Sequence, residues 1–227
     1  MGIAIAIPLD RFQILDVDIC RLSDYRENGW PRLPESEPDG FTTSTIKKLR
    51  KGVVTGLNLF LYPVKALLSI SPPKKPIDHW RLSENRFNEF IFCRIASKTN
   101  PEKTFCISNY HMPCAFYAPM VMNIHAELVV KRLQTLSKQD PYILAGDFNF
   151  MPDSPHYKLV TTGTLSREDE TYPNSKYGME WESSIVPVRS AYADSDNKEP
   201  DFTNYAQVGS KIRYQVLQFL IYSCIYL

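Results

Sequence analysis

The spacing of apolar residues predicts β-strands in two regions of the chain. Near the N-terminus, GIAIAIP (2–8) and DRFQILDVDI (10–19) have the composition of two strands joined by a turn at Pro8 to Asp10. Further along, FNEFIFCRIA (87–96) and TFCISNY (104–110) are rich in aromatic and β-branched residues, with the turn-rich SKTNPEK between them. This second pair predicts a β-hairpin with a somewhat long loop.

A helical pattern follows the hairpin, in MNIHAELVVKRLQTLSK (122–138). Apolar residues recur there at the spacing of an amphipathic helix, at Ala126, Val129, Val130, Leu133 and Leu136. The next apolar run is YILA (142–145), so the unit from 104 to 149 is predicted to be strand, helix, strand. Such a crossover makes the two strands parallel, with their C-terminal ends on one edge of the sheet.

Polar residues end the later of these two strands abruptly. Asp147 and Asn149 are two residues apart, so an extended backbone would project both side chains to the same side. Phe148, between them, would then point into the core. Gly146 has no side chain, which allows another group to approach the backbone closely.

A short helix is predicted after this polar corner. Ser154 is a good N-cap, Pro155 suits the first helical position, and Gly163 can close the helix. The order is therefore strand, polar elbow, loop, helix. Spacing alone leaves two interpretations open. The polar residues form part of a functional site, or they form an ordinary turn at the end of a strand, since Asp and Asn favour turns everywhere.

A histidine ends the earlier strand of the parallel pair, in NYHMPC (109–114). The predicted topology brings this residue, His111, to the same rim as Asp147 and Asn149, where ligand sites of α/β sheets lie. An isolated histidine after a strand is usually a structural donor or a surface residue. We interpret His125 and His156 in that way, and His111 differs from them by its position relative to Asp147.

Composition restricts the class of protein without naming a function. The chain has 227 residues, of which 44% are hydrophobic and 12% aromatic, enough to bury the core of one α/β domain. Lys and Arg total 26 against 25 Asp and Glu, so the net charge of +1 supplies no long-range attraction for nucleic acid. The five cysteines form no CxxC pair and are odd in number, which predicts buried free thiols in a reducing, intracellular compartment.

Two segments of the chain are strongly apolar, and neither has the pattern of a membrane span. Asn58, Pro63 and Lys65 interrupt the apolar segment 52–71, and the tail VLQFLIYSCIYL is too short to cross a bilayer, so no membrane span is predicted. The region 30–80 is predicted to be a loop-rich insertion that contains a helix starting within 42–51 and a surface or lid segment at 52–71.

The motifs NYHMP and GDFNFMPDSP, taken together, resemble the signature of the endonuclease/exonuclease/phosphatase superfamily. SAYA (190–193) and DFTNY (201–205) resemble its deadenylase-like branch. The resemblance implies an α/β sandwich of two packed mixed β-sheets flanked by helices. It divides the chain into a partial domain of this family at 1–207, with the insertion at 30–80, and an apolar tail at 208–227.

The resemblance also implies a chemistry that suits the residue types. Family members hydrolyse phosphate esters with Mg²⁺ or Mn²⁺, which requires a deprotonated water and stabilisation of charge on the phosphoryl oxygens. Asp147 is expected to orient and deprotonate the water, while Asn149 and His111 are expected to donate hydrogen bonds to the phosphoryl group. The expected substrate is nucleic acid or another phosphodiester.

The chain also departs from the family pattern at both ends. The early Asn and the metal-binding Glu of the family have no counterpart before GIAIAIP, and no late Asp or Asp-His pair follows Gln207. We therefore expect a fold incomplete at both termini, with the metal ligands unknown. Two hypotheses remain: a metal-dependent, nuclease-like phosphodiesterase impaired in this form, or a catalytically silent relative that binds a phosphate-containing ligand or a protein partner.

Overall fold

The computed structural model describes residues 2–34, 76–201 and 203, together with the backbone of three strands within 204–223. The chain divides into two compact units, one of Met1–Pro31 with Asp78–Leu227 and one of Arg32–Ile77. The predicted helix starting within 42–51 and the predicted surface segment at 52–71 lie outside the described residues.

The first unit contains both strands and helices. Its elements are β1 (Phe12–Arg21), a 3₁₀ helix (Leu22–Tyr25), α1 (His79–Glu84), β2 (Glu89–Ser97), β3 (Thr104–His111), α2 (Pro119–Ser137), β4 (Tyr142–Asp147), α3 (Pro155–Thr162), β5 (Arg189–Ser190), α4 (Ala191–Asp196), β6 (Asn204–Val208), β7 (Lys211–Gln215) and β8 (Gln218–Ser223).

Six of these strands form one mixed sheet in the order β1-β2-β3-β4-β8-β5. Strands β2 and β3 form the predicted antiparallel hairpin, and β3 and β4 are parallel neighbours, as predicted from the crossover through α2. Strands β6 and β7 pair separately. A mixed sheet flanked by helices is confirmed, and a second sheet packed against it stays a prediction.

The crossover helix α2 covers one face of the sheet and contributes eight of the 28 buried residues of the hydrophobic core that the structure describes. It begins at Pro119, whose fixed φ suits the first turn, and the amide of Lys138 donates to the carbonyl of Gln134 where it ends. The predicted stripe is confirmed, since four of its members are fully buried and Leu136 is partly buried against them. Burial of this stripe holds α2 on the strands.

The opposite face of the sheet is less covered. Val17 and Ile19 of β1 are 48% and 65% exposed, and the register places Ile19 on the same face as Asn109 of β3. The Asn109 amide donates to the carbonyl of Ala4 at 2.9 Å. The predicted strand at 2–8 is wrong, because this segment makes no strand ladder among the described residues.

The predicted short helix after the polar corner is confirmed as α3. The Ser154 hydroxyl accepts from the Tyr157 amide at 3.3 Å, and Gly163 ends the helix with φ +77°. At that φ a residue with a side chain would be strained, which explains the glycine. The caps therefore set both ends of α3.

Free thiols occur at four described cysteines. Cys20, Cys93 and Cys106 are buried, as expected, but Cys114 is exposed, so the interpretation of every cysteine as a buried apolar group is wrong. Burial raises the pKa of the Cys20 thiol to about 12, with Asp18 adding to the effect. Among the helices in the described part of the chain, none is long and apolar enough to span a bilayer.

Candidate active site

The C-terminal ends of β3 and β4 bring the predicted residues together. His111 and Asp147 are directly paired in the parallel register, and the His111 Nε2 and Asp147 Oδ2 atoms lie 3.8 Å apart. Both side chains are partly exposed, at 24% and 32%. They share the face opposite α2, because Tyr110, the neighbour of His111, points its side chain towards that helix.

The close approach of the two strands depends on a glycine. Gly146 has φ +146°, and a Cβ atom at this position would lie 1.9 Å from the carbonyl oxygen of Tyr110. Residues with a side chain rarely adopt this φ, and none could fit here without moving the strand. The prediction that Gly146 permits a close approach is confirmed, and the approaching group is the backbone of β3.

Backbone contacts hold His111 in place. The Asn88 side chain donates to the His111 carbonyl at 2.6 Å, and the Met112 amide donates to the Asp147 carbonyl at 2.8 Å. The loop before β2 and the ends of β3 and β4 are therefore tied to one another at the site.

The expectation of an extended backbone through Asn149 is wrong. Asn149 has φ +54°, a left-handed conformation that Asn tolerates better than most residues. Its amide nitrogen Nδ2 donates to the Met112 carbonyl at 3.0 Å, and its backbone N–H donates to Asp147 Oδ1 at 3.2 Å. Asn149 is 5% exposed, whereas Phe148 is fully buried, as predicted. The backbone N–H of Asn149 therefore helps to hold the Asp147 carboxylate in place.

The other two histidines named in the sequence are buried away from this rim. His125 accepts at Nδ1 from the Tyr110 hydroxyl at 2.7 Å and donates from Nε2 to the Ser83 carbonyl at 3.1 Å. His156 donates from Nδ1 to the Asn123 side chain at 2.6 Å. Burial lowers the pKa of each imidazole to about 4. Both are neutral structural groups, as interpreted from the sequence.

A cleft of about 370 Å³ opens beside His111. Its lining residues come from the N-terminal segment, the loop before β2 and the end of β3: Gly2, Ile3, Arg86, Phe87, Asn88, Glu89, His111, Met112, Pro113 and Cys114. Asp147 and Asn149 do not line it, so the cleft borders the site on the His111 side.

A larger cavity of about 600 Å³ lies elsewhere and contains none of the three predicted site residues. Two of its basic side chains form ion pairs, Lys131 with Glu27 and Arg132 with Asp18, each at 2.8 Å. Burial raises the pKa of Glu127, which also lines it, to about 7. The larger cavity therefore contains none of the residues that the sequence predicts for the site, and His111 and Asp147 converge outside it.

Two supporting residues were missed by the sequence analysis. Asn88 lies in the loop before β2, where an asparagine is indistinguishable from any turn residue. Tyr110 resembles an ordinary core aromatic of a strand, and only the fold shows its hydroxyl on His125. Neither had a sequence signal that could have identified it.

Metal ligation is not supported by a cluster of side chains. Within residues 2–34, 76–201 and 203, no group of three or more His, Cys, Asp or Glu could hold a metal ion. Asp147 is the carboxylate beside His111, and Asn149 could add one amide oxygen. Mg²⁺ is usually held by one or two carboxylates and completes its six oxygen ligands with water and substrate phosphate, so this pair is a partial set of ligands.

Comparison with known proteins assigns the class. Residues 60–209 match the model of the endonuclease/exonuclease/phosphatase family. The chain belongs to this family. The predicted superfamily and its deadenylase-like branch are confirmed.

Two curated relatives are similar over part of their length. The CCR4-Not complex 3′-5′-exoribonuclease subunit Ccr4 of Phaeosphaeria nodorum is 40% identical over 68 residues, which cover 29% of this chain and 11% of that protein. Protein angel of Drosophila melanogaster is 27% identical over 143 residues, covering 61% of this chain and 39% of that protein.

The fold is similar to that of ANGEL2, a 2′,3′-cyclic phosphatase, with a TM-score of 0.51 and 15% sequence identity. The match covers 96% of this chain and 56% of ANGEL2. The chain spans less than two thirds of each of these three proteins.

Proposed function

We propose that this chain is a nuclease-like phosphodiester hydrolase whose reacting groups are Asp147 and His111. The observation that carries the proposal is their direct pairing at the ends of β3 and β4, with Nε2 and Oδ2 3.8 Å apart. That distance exceeds a hydrogen bond, so neither group is committed to the other. A phosphoryl oxygen or a water can contact both.

Asp147 is the proton acceptor of this proposal. Its carboxylate reaches solvent, and the backbone N–H of Asn149 fixes the orientation of Oδ1, which leaves Oδ2 towards His111. A carboxylate held in this way can orient an attacking water and take its proton as the water attacks phosphorus. The leaving oxygen departs from the opposite side of the phosphorus in an in-line displacement.

His111 is the hydrogen-bond donor. Its Nε2 faces the position next to Asp147, where negative charge increases on the phosphoryl oxygens in the transition state. The contact from Asn88 to its carbonyl holds the backbone in register. Donation from a fixed ring stabilises that charge without reorganisation.

Asn149 takes a positioning role here, in place of the direct phosphate contact expected from the resemblance. One N–H of its amide is used on the Met112 carbonyl, and its backbone N–H is used on Asp147. Both bonds stabilise the polar corner that presents the carboxylate.

Nucleic acid is the proposed substrate, and Mg²⁺ or Mn²⁺ remains an expectation from the family. The test is a hydrolysis screen of the 227-residue chain against oligoribonucleotide, DNA, bis-p-nitrophenyl phosphate and an inositol phosphate, with Mg²⁺, Mn²⁺ or chelator. Cleavage that is lost in Asp147→Asn supports the proposal. Turnover equal in the two chains shows that Asp147 is not the base.

The second candidate function is that of a catalytically silent relative. The buried Asn149 favours this candidate, because its side-chain amide is bonded to the Met112 carbonyl and stabilises the fold instead of contacting a phosphate. Such a chain would bind a phosphate-containing ligand or a protein partner without hydrolysing it. Saturable binding of an oligonucleotide with no product under any metal condition would decide for this candidate.

Three further features are proposed with this function. The half-exposed face that carries Val17 and Ile19 would receive a second sheet, which completes the sandwich. Residues 1–207 would form the catalytic domain, and the apolar tail 208–227 contributes β8 to the same mixed sheet, between β4 and β5. Four free thiols support a cytoplasmic or nuclear location.

A further inference from the structure

The loop before β2 presents an arginine and a phenylalanine beside the candidate active site. Arg86 and Phe87 both line the cleft that contains His111. Phe87 is 80% exposed, more than any other large hydrophobic side chain among the described residues. A ring this exposed at the edge of a cleft is available to a ligand.

The exposed ring lies in a polar setting. The Arg21 guanidinium is 5.5 Å from the centre of the Phe87 ring, while Arg21 itself pairs with Asp24. Arg86 donates from Nη2 to the Tyr117 hydroxyl at 3.0 Å. Within the part of the chain that the structure describes, no carboxylate forms an ion pair with Arg86.

The cleft has one arginine in its lining near His111, and no lysine. Glu89 is the single acidic residue in its lining, and in the strand register it stands opposite Arg21. A phosphate bound in the cleft would neutralise the charge of the Arg86 guanidinium.

Two hydrogen bonds connect the loop that carries Arg86 and Phe87 to the site. Asn88 follows Phe87 directly, and its side chain donates to the His111 carbonyl at 2.6 Å. The bond from Arg86 to Tyr117 ties the same loop to the segment after β3. Movement of Phe87 relative to His111 is therefore restricted.

We propose that Arg86 and Phe87 are specificity-determining residues for single-stranded nucleic acid. Phe87 stacks on the base of a nucleotide next to the scissile phosphate, and Arg86 contacts the phosphate of that nucleotide. This inference rests on the proposed function, because it names what the site containing His111 and Asp147 selects.

An anionic membrane is the competing partner for an exposed aromatic residue beside arginine. The structure favours nucleic acid, because the Arg21 guanidinium lies over the Phe87 ring and the Arg86 guanidinium donates to the hydroxyl of Tyr117, which makes the surroundings of the ring polar. Membrane insertion requires a continuous apolar patch, whereas stacking requires one free ring face.

The test measures binding in the Asp147→Asn background, so that affinity is read without turnover. Fluorescence anisotropy compares a short single-stranded oligoribonucleotide with an otherwise identical abasic strand. Phe87→Ala is expected to weaken binding of the intact strand by about tenfold or more, and Phe87→Trp is expected to preserve it. Phe87→Ala should change the affinity for the abasic strand little, since no base is present to stack.

A matched control is Tyr177→Ala, which removes another exposed ring that lies under a cation, the ammonium of Lys176 at 4.9 Å, outside the cleft lining. This variant should leave the affinity for the intact strand unchanged.

The charge of Arg86 is tested by the salt dependence of binding. Arg86→Gln should reduce the slope of log affinity against log salt by about 0.7, and Arg86→Lys should restore that slope.

The inference is overturned if Phe87→Ala leaves the affinity for the intact strand unchanged, or weakens intact and abasic strands equally. It is also overturned if Phe87→Ala abolishes binding to phosphatidylserine-containing vesicles and spares the oligonucleotide. Hydrolysis by the unsubstituted chain is measured separately. Base-dependent binding without hydrolysis would therefore reject the proposed function and retain this inference.

Discussion

His111 and Asp147 stand side by side at the ends of parallel neighbours β3 and β4, with Nε2 and Oδ2 separated by 3.8 Å. Backbone pairing sets this relationship, so it does not require the side chains to attract one another. The two groups are therefore close enough to act on one phosphate and remain free to do so.

Substitution of Asp147 tests its role as base. Asp147→Asn keeps the size of the side chain and removes the proton acceptor, so hydrolysis should fall by about two to four orders of magnitude with the fold retained. Single-turnover cleavage measures the rate, and circular dichroism checks the fold. Asp153→Asn, an exposed carboxylate a few residues along, is the control and should cleave normally. Near-normal cleavage by Asp147→Asn would refute the assignment.

Gly146 should be irreplaceable for steric reasons. A Cβ atom in Gly146→Ala meets the Tyr110 carbonyl, whereas Gly29→Ala, also at positive φ, meets nothing within 4 Å. Gly29→Ala should cost only about 1 kcal/mol in the free energy of unfolding. Gly146→Ala should cost several times more, because the strands must separate. Urea unfolding compares the two, and equal losses would mean that the backbone conformation alone, rather than the contact with Tyr110, requires the glycine.

Asn149 should contribute stability through its side-chain amide. Asn28 and Asn149 both have positive φ, at +62° and +54°, but only Asn149 bonds the buried Met112 carbonyl among the contacts described. Alanine at Asn28 should cost about 1 kcal/mol, and alanine at Asn149 a further 1–3 kcal/mol or so, for the lost bond. Chemical denaturation measures both losses. Similar losses for the two variants would show that the Met112 bond is weak.

Acid should destabilise the fold through its buried histidines. Burial depresses the pKa of His156 to about 4 from an ordinary value of 6.5, so the unfolded chain binds a proton in this range and the native chain does not. The stabilising contribution is complete above about pH 6.5 and is lost as the pH falls towards about 4. His156→Gln should flatten this part of the stability curve by about 2–3 kcal/mol, measured by urea unfolding across the range. A curve with unchanged slope would contradict the buried neutral state.

Glu127 should act in the opposite direction at higher pH. Its burial raises the pKa to about 7 from 4.5, although Lys131 and Arg26 oppose the shift, while Glu27 adds to it. The native chain therefore retains a proton that the unfolded chain releases, and stability falls as the pH rises from about 4.5 to about 7. Glu127→Gln should match the parent at low pH and exceed it by about 2–3 kcal/mol above neutrality. Parallel curves would show that Glu127 is charged throughout.

The sequence by itself determined the local elements and the class of the protein. Periodic apolar residues predicted the β2–β3 hairpin and α2, and Ser154, Pro155 and Gly163 predicted α3, because caps and amphipathic spacing act over a few residues. The parallel pairing of β3 and β4 also followed, since a helical crossover leaves little choice of direction. These predictions placed His111 and Asp147 on one rim.

Tertiary structure alone decided how the site is held. The left-handed backbone of Asn149, its bond to Met112 and the anchor from Asn88 to His111 join segments that are distant or irregular in sequence. The segment 2–8 alternates like a strand, yet its backbone pairs with no strand among the described residues. A strand requires a neighbouring strand with unpaired backbone groups as well as an alternating pattern, and the tertiary fold decides whether such a neighbour is present.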